Sequence, residues 1–238
     1  MTRRFSGKTA LVAGGTGGLG RAVAAALLRE GARVIVTYRR PSEMDSLARL
    51  AEDAAALEGH VVDLSNDVAI GNFVAGILAD HGRLDILVNA VGAWAGGAKF
   101  WQADATEFDK MLQINLRIGY ALLRAVLPPM LEQRSGAIVN VASRAAIDHA
   151  GAAAGYVTSK AAAVAMIDSL AADLKGTGVR ANSILPGIID TEANRQAMPT
   201  ADFSKWPTPE AIARAILFLC SEEASLINGA AIPVYGDA

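Results

Sequence analysis

A glycine-rich loop between a buried strand and a helix constrains the fold of this chain more than any other stretch. The apolar run Thr9-Ala10-Leu11-Val12-Ala13 is typical of a parallel strand with both faces buried. It leads directly into Gly14-Gly15-Thr16-Gly17-Gly18-Leu19-Gly20, and a predicted alanine-rich helix follows from Arg21 to Glu30. A glycine cluster alone is also compatible with a flexible turn. In this position it predicts close approach of the backbone to a pyrophosphate, and a helix N-terminus that presents free N–H groups to it.

Strands and helices alternate along the rest of the chain. Further strands are predicted at residues 33–37, 60–62, 84–91, 137–142, 180–185 and 230–234. One helix, from about Asn66 to Asp80, has a predicted buried side made of Val68, Phe73, Ile77 and Leu78. The alternation predicts a doubly wound parallel sheet in one α/β domain that spans residues 1–238. Residues 188–206 are predicted to be a mobile flap beside the substrate.

Composition and charge exclude several kinds of partner. The chain has 238 residues and a formal net charge of −2, which give no electrostatic basis for binding nucleic acid or an anionic membrane. No apolar run reaches the roughly 20 residues that a membrane span needs. Cys220 is the single cysteine, and the three histidines share no metal-like spacing, so no metal site is expected. The first residues show no hydrophobic region of a signal peptide, and we expect a cytoplasmic protein.

Candidate functional residues follow the predicted strands one after another. The glycine loop follows the first strand, and the residues that follow the next five strands are Arg39, Asp63, Asn89, Ser143 and Pro186-Gly187. In an open parallel sheet, ligands bind beyond the carboxyl ends of the strands. The sequence therefore predicts one ligand-binding edge that gathers all of these positions.

Tyr156 and Lys160 form the candidate proton-transfer pair. Their i, i+4 spacing places both side chains on one face of a helix. A nearby ammonium group stabilises a phenolate, so the pair predicts a phenol whose pKa is lowered from its usual value of about 10. By itself the pair is also typical of an ordinary surface helix. Ser143 alone is equally compatible with a turn after its strand. Asn115 predicts a kink within its helix, and alone it is equally compatible with an amide buried in the core.

Together these motifs resemble the short-chain dehydrogenase/reductase family over nearly the full length of the chain. The resemblance rests on Gly14-x-x-x-Gly18-x-Gly20, Asn89-Ala90-Val91-Gly92, Asn115, Ser143 and Tyr156-x-x-Ser159-Lys160. Three departures are Ala13 in place of a common Thr, Asn-Ala-Val-Gly in place of Asn-Asn-Ala-Gly, and the end Val234-Tyr235-Gly236-Asp237. The resemblance implies a single-domain Rossmann fold, with a mostly parallel seven-stranded sheet and helices on both of its faces.

The resemblance also implies an enzyme that transfers a hydride between a nicotinamide cofactor and a small carbonyl or alcohol substrate. Tyr156 would be the acid or base, and Ser143 would hydrogen-bond the substrate oxygen. Lys160 would lower the pKa of Tyr156 and bind the nicotinamide ribose, while Asn115 would hold a water molecule. The implied cofactor-binding residues are Gly14, Thr16, Gly17, Gly18, Leu19, Gly20, Tyr38, Arg39, Arg40, Asp63, Leu64, Asn89, Ala90, Tyr156, Lys160, Pro186, Gly187, Ile189 and Thr191. Most of the family are homo-oligomers, so a homotetramer is expected.

The end of the second strand indicates which nicotinamide is used. A site that prefers NAD usually places a carboxylate there to bind the ribose 2′-hydroxyl, and this chain has Tyr38 instead. Arg39 and Arg40 follow, and a guanidinium binds phosphate through paired N–H donors. NADP(H) is therefore predicted to be preferred over NAD(H). Both arginines are also compatible with solvated loop charges.

Two other functions are compatible with the same fold. A catalytically idle protein that senses NADP would need the nucleotide site alone, whereas this chain retains Asn115, Ser143, Tyr156 and Lys160. A related isomerase or dehydratase would need a further acid or base in the pocket, and the sequence identifies none. The motifs thus favour an NADP(H)-dependent oxidoreductase.

Overall fold

The computed structural model describes residues 3–51 and 53–237. Within them, seven strands form one sheet in the order β3-β2-β1-β4-β5-β6-β7, and every neighbouring pair is parallel. The strands are β1 (Thr9–Ala13), β2 (Arg33–Tyr38), β3 (Leu57–Val61), β4 (Ile86–Asn89), β5 (Gly136–Val141), β6 (Val179–Pro186) and β7 (Ala231–Val234). Because β1 pairs with both β2 and β4, the strand order reverses there, which is where a cleft opens in doubly wound sheets.

Helices connect the strands. They are α1 (Gly18–Arg29), α2 (Pro41–Ala48), α3 (Asp67–His81), α4 (Ala105–Leu112), α5 (Ile118–Gln133), α6 (Ala145–Asp148), α7 (Ala154–Asp173), α8 (Glu192–Ala197) and α9 (Pro209–Cys220). A single π-helical turn, Gln113–Arg117, joins α4 to α5. No described helix is long and apolar enough to cross a membrane.

The strands bury both of their faces, as expected for a sheet between two layers of helices. Alternate residues of β1 and β2 point to opposite sides: Val12 and Val36 face one core, and Leu11 and Ile35 face the other. Helices α1 and α9 cover the first core, while α3, α5 and α7 cover the second. The predicted doubly wound fold with helices on both faces is confirmed.

Several local predictions are wrong, and one is the start of α1, which lies at Gly18 and not at the predicted Arg21. Strand β3 begins at Leu57, three residues before the predicted start at His60, because Leu57 pairs with Val34 in the neighbouring β2. Val68, predicted to be buried, is 70% exposed. The side chain of Asn66 caps α3 by accepting hydrogen bonds from Val68 N and Ala69 N, which places Val68 in the solvent-facing first turn.

The residues at 188–206 have their own local structure. Thr191 caps α8, since its Oγ1 accepts a hydrogen bond from the backbone N of Asn194 at 3.2 Å. Trp206 is only 7% exposed, and its ring lies 4.9 Å from that of Phe203. The segment is therefore anchored at both ends by packed or capped residues, and its mobility stays a prediction.

Candidate active site

The glycine loop between β1 and α1 forms one end of the site. Gly14 has a φ of +74°, and its N–H donates to Thr37 Oγ1 at 2.9 Å. A Cβ on Gly20 would lie 2.1 Å from the carbonyl oxygen of Gly14, so only glycine lets α1 begin this close to the loop. No side chain caps α1 among the described residues, and its first-turn N–H groups face the loop uncapped.

The start of α1 fits a nucleotide phosphate, and Thr191 lies next to it. A helix N-terminus without a side-chain cap offers backbone donors and the positive end of a helix dipole. The α8 segment also reaches the loop, because a Cβ on Gly18 would meet Thr191 Cγ2 at 2.7 Å. The glycines thus let the loop pack closely against α1 and Thr191, and its role in binding a pyrophosphate stays a prediction.

Asn115 lies in the π-helical turn and is 3% exposed. Its Oδ1 accepts from Ala93 N at 2.9 Å, and its Nδ2 donates to Ala93 O at 3.0 Å and to Ser159 Oγ at 3.0 Å. The helix is interrupted here by a π-helical turn, which aims the buried amide at the loop after β4, and the predicted kink stays a prediction. Both ends of the amide are bonded to protein groups, so the water-holding role stays a prediction.

Lys160 projects from α7 to the end of β5. Its Nζ donates to Val141 O at 3.0 Å and lies 6.0 Å from the centre of the Tyr156 ring. A Cβ on Gly92 would lie 3.1 Å from this Nζ, so the glycine of the Asn-Ala-Val-Gly motif leaves room for the ammonium group. Burial lowers the pKa of Lys160 to about 8.

The side chains of Tyr156 and Ser143 are hydrogen-bonded to each other in the same cleft as this lysine. Burial raises the pKa of the Tyr156 phenol above its usual value of 10.0, and a hydrogen bond with the Ser143 side chain opposes that rise. The prediction that this pKa is lowered is therefore wrong for the protein on its own, because loss of water around the phenol outweighs its polar neighbours. Ser143 Oγ also accepts from Ala145 N at 3.2 Å, so it both turns the chain after β5 and reaches Tyr156.

One cleft at the carboxyl edge of the sheet brings eight of the 21 predicted site residues together. It is lined by Leu19, Ala90, Val91, Gly92, Ala93, Trp94, Val141, Ala142, Ser143, Tyr156, Lys160, Pro186, Gly187 and Ile189. Leu19 belongs to the first turn of α1, and Tyr156 to that of α7. The cleft therefore runs from the glycine loop to the candidate proton-transfer pair. Trp206 is buried, whereas Trp94 is 68% exposed at the rim.

A pair of asparagines below the cleft was not predicted as a unit. Asn89, at the end of β4, donates through Nδ2 to Asn140 Oδ1 of β5 at 2.9 Å, and its Oδ1 accepts from Val91 N at 3.3 Å. The Nδ2 of Asn140 has no hydrogen-bond partner within the described ranges. Asn89 thus orients the loop that carries Gly92, and the only sequence signal for Asn140 is a polar residue inside an apolar strand.

The predicted residues after β2 and β3 lie outside the cleft. Asp63 is exposed, and its carboxylate accepts from Ser65 N at 2.9 Å, whereas Leu64 packs against the core. A Cβ on Gly59 would lie 3.0 Å from a ring carbon of Tyr38, so this ring lies against β3. Arg39 and Arg40 are both exposed. These positions flank the glycine loop on the side away from Tyr156.

Sequence reasoning missed Glu43, which contacts two predicted residues. Its Oε2 accepts from Thr16 Oγ1 at 3.0 Å, and its Oε1 accepts from Arg40 Nε at 2.7 Å. Arg40 is therefore paired with a carboxylate. The i, i+3 spacing of Arg40 and Glu43 signals the ion pair, but no sequence pattern reveals the contact with Thr16, which is 27 residues away. Among the described residues, no group of three or more metal-ligating side chains occurs.

The lowered pKa of Lys160 generates a prediction about stability. Between about pH 8 and pH 10.5, the unfolded chain keeps a proton on this lysine that the folded protein has lost, so the free energy of unfolding rises with pH. Urea unfolding of the protein alone at pH 7 and pH 10 should show this rise, and Lys160→Met should lack about 2–3 kcal/mol of it. The exposed Lys175→Met is the matched control. Equal pH dependence in the wild type and Lys160→Met would contradict the assignment.

Comparison with known proteins agrees with this geometry. The family model described as short chain dehydrogenase matches residues 8–202. The chain is 30% identical to the 3-oxoacyl-[acyl-carrier-protein] reductase FabG of Thermotoga maritima, over 98% of either protein. Two solved structures each have a TM-score of 0.90 and 25% identity: ElxO with NADP bound and NAD+-bound xylitol dehydrogenase. The match with ElxO covers 96% of this chain and 97% of ElxO, and the match with xylitol dehydrogenase covers 98% of this chain and 99% of that enzyme. The chain therefore belongs to the short-chain dehydrogenase/reductase family, a family of nicotinamide-dependent oxidoreductases.

Proposed function

We propose that this protein is an NADP(H)-dependent oxidoreductase that interconverts a carbonyl and an alcohol, with Tyr156 as the acid or base. The observation that carries the proposal is the meeting of Ser143, Tyr156 and Lys160 in the cleft that begins at the glycine loop. A protein that only senses the nucleotide has no use for a hydroxyl, a phenol and an ammonium at the far end of the site. The idle alternative is therefore less well supported than the enzyme.

The cofactor would be held by the glycine loop, by the residues that follow β2, β3, β4 and β6, and by Tyr156 and Lys160 at the nicotinamide ribose. When bound, a nicotinamide dinucleotide gives or takes the hydride. Backbone N–H groups at the start of α1 would donate hydrogen bonds to the phosphates, and the Lys160 ammonium would donate to the ribose hydroxyls. Gly92 and Gly187 line the cleft without side chains, which leaves room for the cofactor there.

Tyr156 and Ser143 act on the oxygen of the substrate. A phenol with a raised pKa keeps its proton at neutral pH, so Tyr156 donates that proton to a carbonyl oxygen during reduction. The Ser143 hydroxyl hydrogen-bonds the same oxygen and stabilises the negative charge that develops on it. In the reverse direction Tyr156 accepts the proton of the alcohol, which its raised pKa makes easier once the phenolate has formed.

Replacing Tyr156 with Phe tests this role. The ring still packs, and only the transferable proton is lost, so kcat should fall by about 10²-fold or more. The dissociation constants of NADPH and NADH should stay within a few-fold, as measured by calorimetry. Tyr120→Phe, which removes the same hydroxyl from a residue 45% exposed on α5, is the control and should leave kcat unchanged. A near-normal kcat for Tyr156→Phe would show that another group transfers the proton.

The preference for NADP(H) rests on the end of β2. No carboxylate stands at Tyr38 to repel a 2′-phosphate, and the guanidinium of Arg39 is exposed beside it. One charge-assisted contact contributes about 1.5–3 kcal/mol, which corresponds to a preference of about 10- to 100-fold. Since solved relatives of this family hold either NADP or NAD+, the preference depends on residues of this chain.

The cofactor preference is tested by kcat/KM with NADPH and NADH. The wild type should favour NADPH, and Arg39→Ala should remove most of that preference while kcat/KM for NADH changes little. Arg49→Ala, an exposed arginine at the end of α2, is the control for loss of positive charge. Equal use of both cofactors by the wild type would overturn the assignment.

We also propose that the protein assembles as a homo-oligomer, with a tetramer as the expected form. Its support is an apolar groove between α7 and the α4–α5 helices, lined in part by Leu112, Leu116, Tyr120, Ala165 and Met166. The opposite side of α7 already packs into the core through Ala163 and Ile167. A helix that is apolar on both sides gains stability when a second surface covers its outer side.

Light scattering measures this assembly directly. A tetramer of 24.7 kDa chains is expected, and Ala165→Arg should give a smaller species because it places a charge in the groove. Ala165 is exposed in the single chain, so the substitution should leave the fold intact. A monomer mass for the wild type at micromolar concentration would refute the proposal.

The apolar side chains in and beside the cleft favour a substrate with an apolar group next to its reacting carbonyl or alcohol. Trp94 and Ile189 line it, and Ile147 and Ile188 are 52% and 40% exposed on the two segments that follow Ser143 and Gly187. Burial of apolar surface contributes about 25 cal/mol per Å². A panel of ketones with alkyl or aryl groups of increasing size, followed by nicotinamide absorbance, identifies the substrate class.

A further inference from the structure

A carboxylate lies beside the glycine loop, on the side of the predicted 2′-phosphate contacts. Glu43, in the first turn of α2, accepts a hydrogen bond from Thr16 Oγ1 at 3.0 Å through one oxygen. Its other oxygen accepts from Arg40 Nε at 2.7 Å and is also paired with Arg40 Nη2. The side chain of Glu43 is 23% exposed and that of Arg40 is 76% exposed. The carboxylate is thus held in place from two directions.

Glu43 is ionised at neutral pH. The hydrogen bond from Arg40 holds the pKa of this carboxyl below its usual value; the Thr16 hydroxyl and the charges of Arg40 and Arg39 act in the same direction, and burial opposes them. The two arginines after β2 therefore do not present two free positive charges. One of them already has its Nε and Nη2 donors directed at a carboxylate.

We propose that Glu43 is a specificity-determining residue that limits the preference for NADP(H) over NAD(H), an inference that rests on the proposed function. A 2′-phosphate has to compete with the Glu43 carboxylate for the Arg40 guanidinium, and it also lies near a like charge. A 2′-hydroxyl meets neither penalty. Arg39 then supplies the preference of the wild type for NADP(H), while Arg40 contributes little because its guanidinium is paired with Glu43.

An ordinary helix-surface role for Glu43 predicts something different. An acidic residue in the first turn of a helix and an i, i+3 ion pair are common, and each contributes little when exposed. Those effects would alter stability and would leave the choice of cofactor unchanged. The contact that separates the two roles is the hydrogen bond from Thr16, because it fixes the carboxylate against the loop predicted to bind the cofactor.

The experiment measures binding without turnover. Calorimetry gives dissociation constants of NADPH, NADH, 2′,5′-ADP and 5′-AMP for the wild type, Glu43→Gln, Arg40→Ala and the double variant. The control is Asp45→Asn, which removes the same charge from an exposed residue on another face of α2. Glutamine keeps the length of the side chain and can still accept from Thr16, so the loop contact survives.

The expected result is confined to the phosphorylated ligands. Glu43→Gln should bind NADPH and 2′,5′-ADP about tenfold more tightly, since a charged contact is gained, and NADH and 5′-AMP with less than about twofold change. Asp45→Asn should change all four by less than about twofold. Adding Arg40→Ala to Glu43→Gln should abolish the gain, whereas Arg40→Ala alone should have a small effect.

Several results would overturn the inference. They are an equal change for phosphorylated and unphosphorylated ligands, an effect of Glu43→Gln no larger than that of Asp45→Asn, and a gain that persists without Arg40. Wild-type protein that binds NADPH more tightly than NADH would still support the proposed function in each of these cases. Wild-type protein that binds neither NADPH nor NADH would overturn both proposals together.

Discussion

The side-chain amide of Asn115 is the interaction on which the rest of the site depends. It is buried, and its hydrogen bonds connect the π-helical turn to the loop after β4 and to Ser159 in α7. Buried amides are stable only when their donors and acceptors are satisfied, so these bonds fix all three segments relative to each other. Ser159 precedes Lys160, and Gly92 precedes Ala93, so the amide sets the space that the lysine ammonium occupies.

Lys160 shows what this arrangement costs. A cation that is 5% exposed loses most of its hydration, and one carbonyl, that of Val141, replaces it at 3.0 Å. The lowered pKa is the direct consequence of that exchange. An ordinary core would place an apolar side chain here. A lysine kept in this position is typical of a functional site.

The sequence carried enough local signal for most of the fold. Apolar runs and the glycine loop predicted their elements, and the asparagine inside a helix marked the place where the π-helical turn lies. Val68 was misassigned because the cap at Asn66 sets the phase of α3. The start of β3 depends on its partner β2 more than on its own residues. Each of these errors comes from a contact that periodicity does not contain.

In the site as well, features set by local sequence were predicted and features set by tertiary contacts were missed. The positions of Ser143, Tyr156 and Lys160 at one cleft follow from strand ends and helix spacing, which are sequence properties. Glu43 was missed because its contact with Thr16 joins residues 27 positions apart. The shift of the Tyr156 pKa was predicted with the wrong sign because an i, i+4 cation is visible in sequence and burial is not.

Burial acts on Tyr156 and Lys160 in one direction: it favours the neutral form of each. The phenol consequently holds its proton firmly, while the ammonium gives up its proton more readily than an exposed lysine. A protonated phenol is the form that a carbonyl oxygen needs, and a phenolate is the form that an alcohol needs. In the proposed function, the raised pKa of Tyr156 therefore suits reduction near neutral pH, and alcohol oxidation would require a further step that removes the phenol proton.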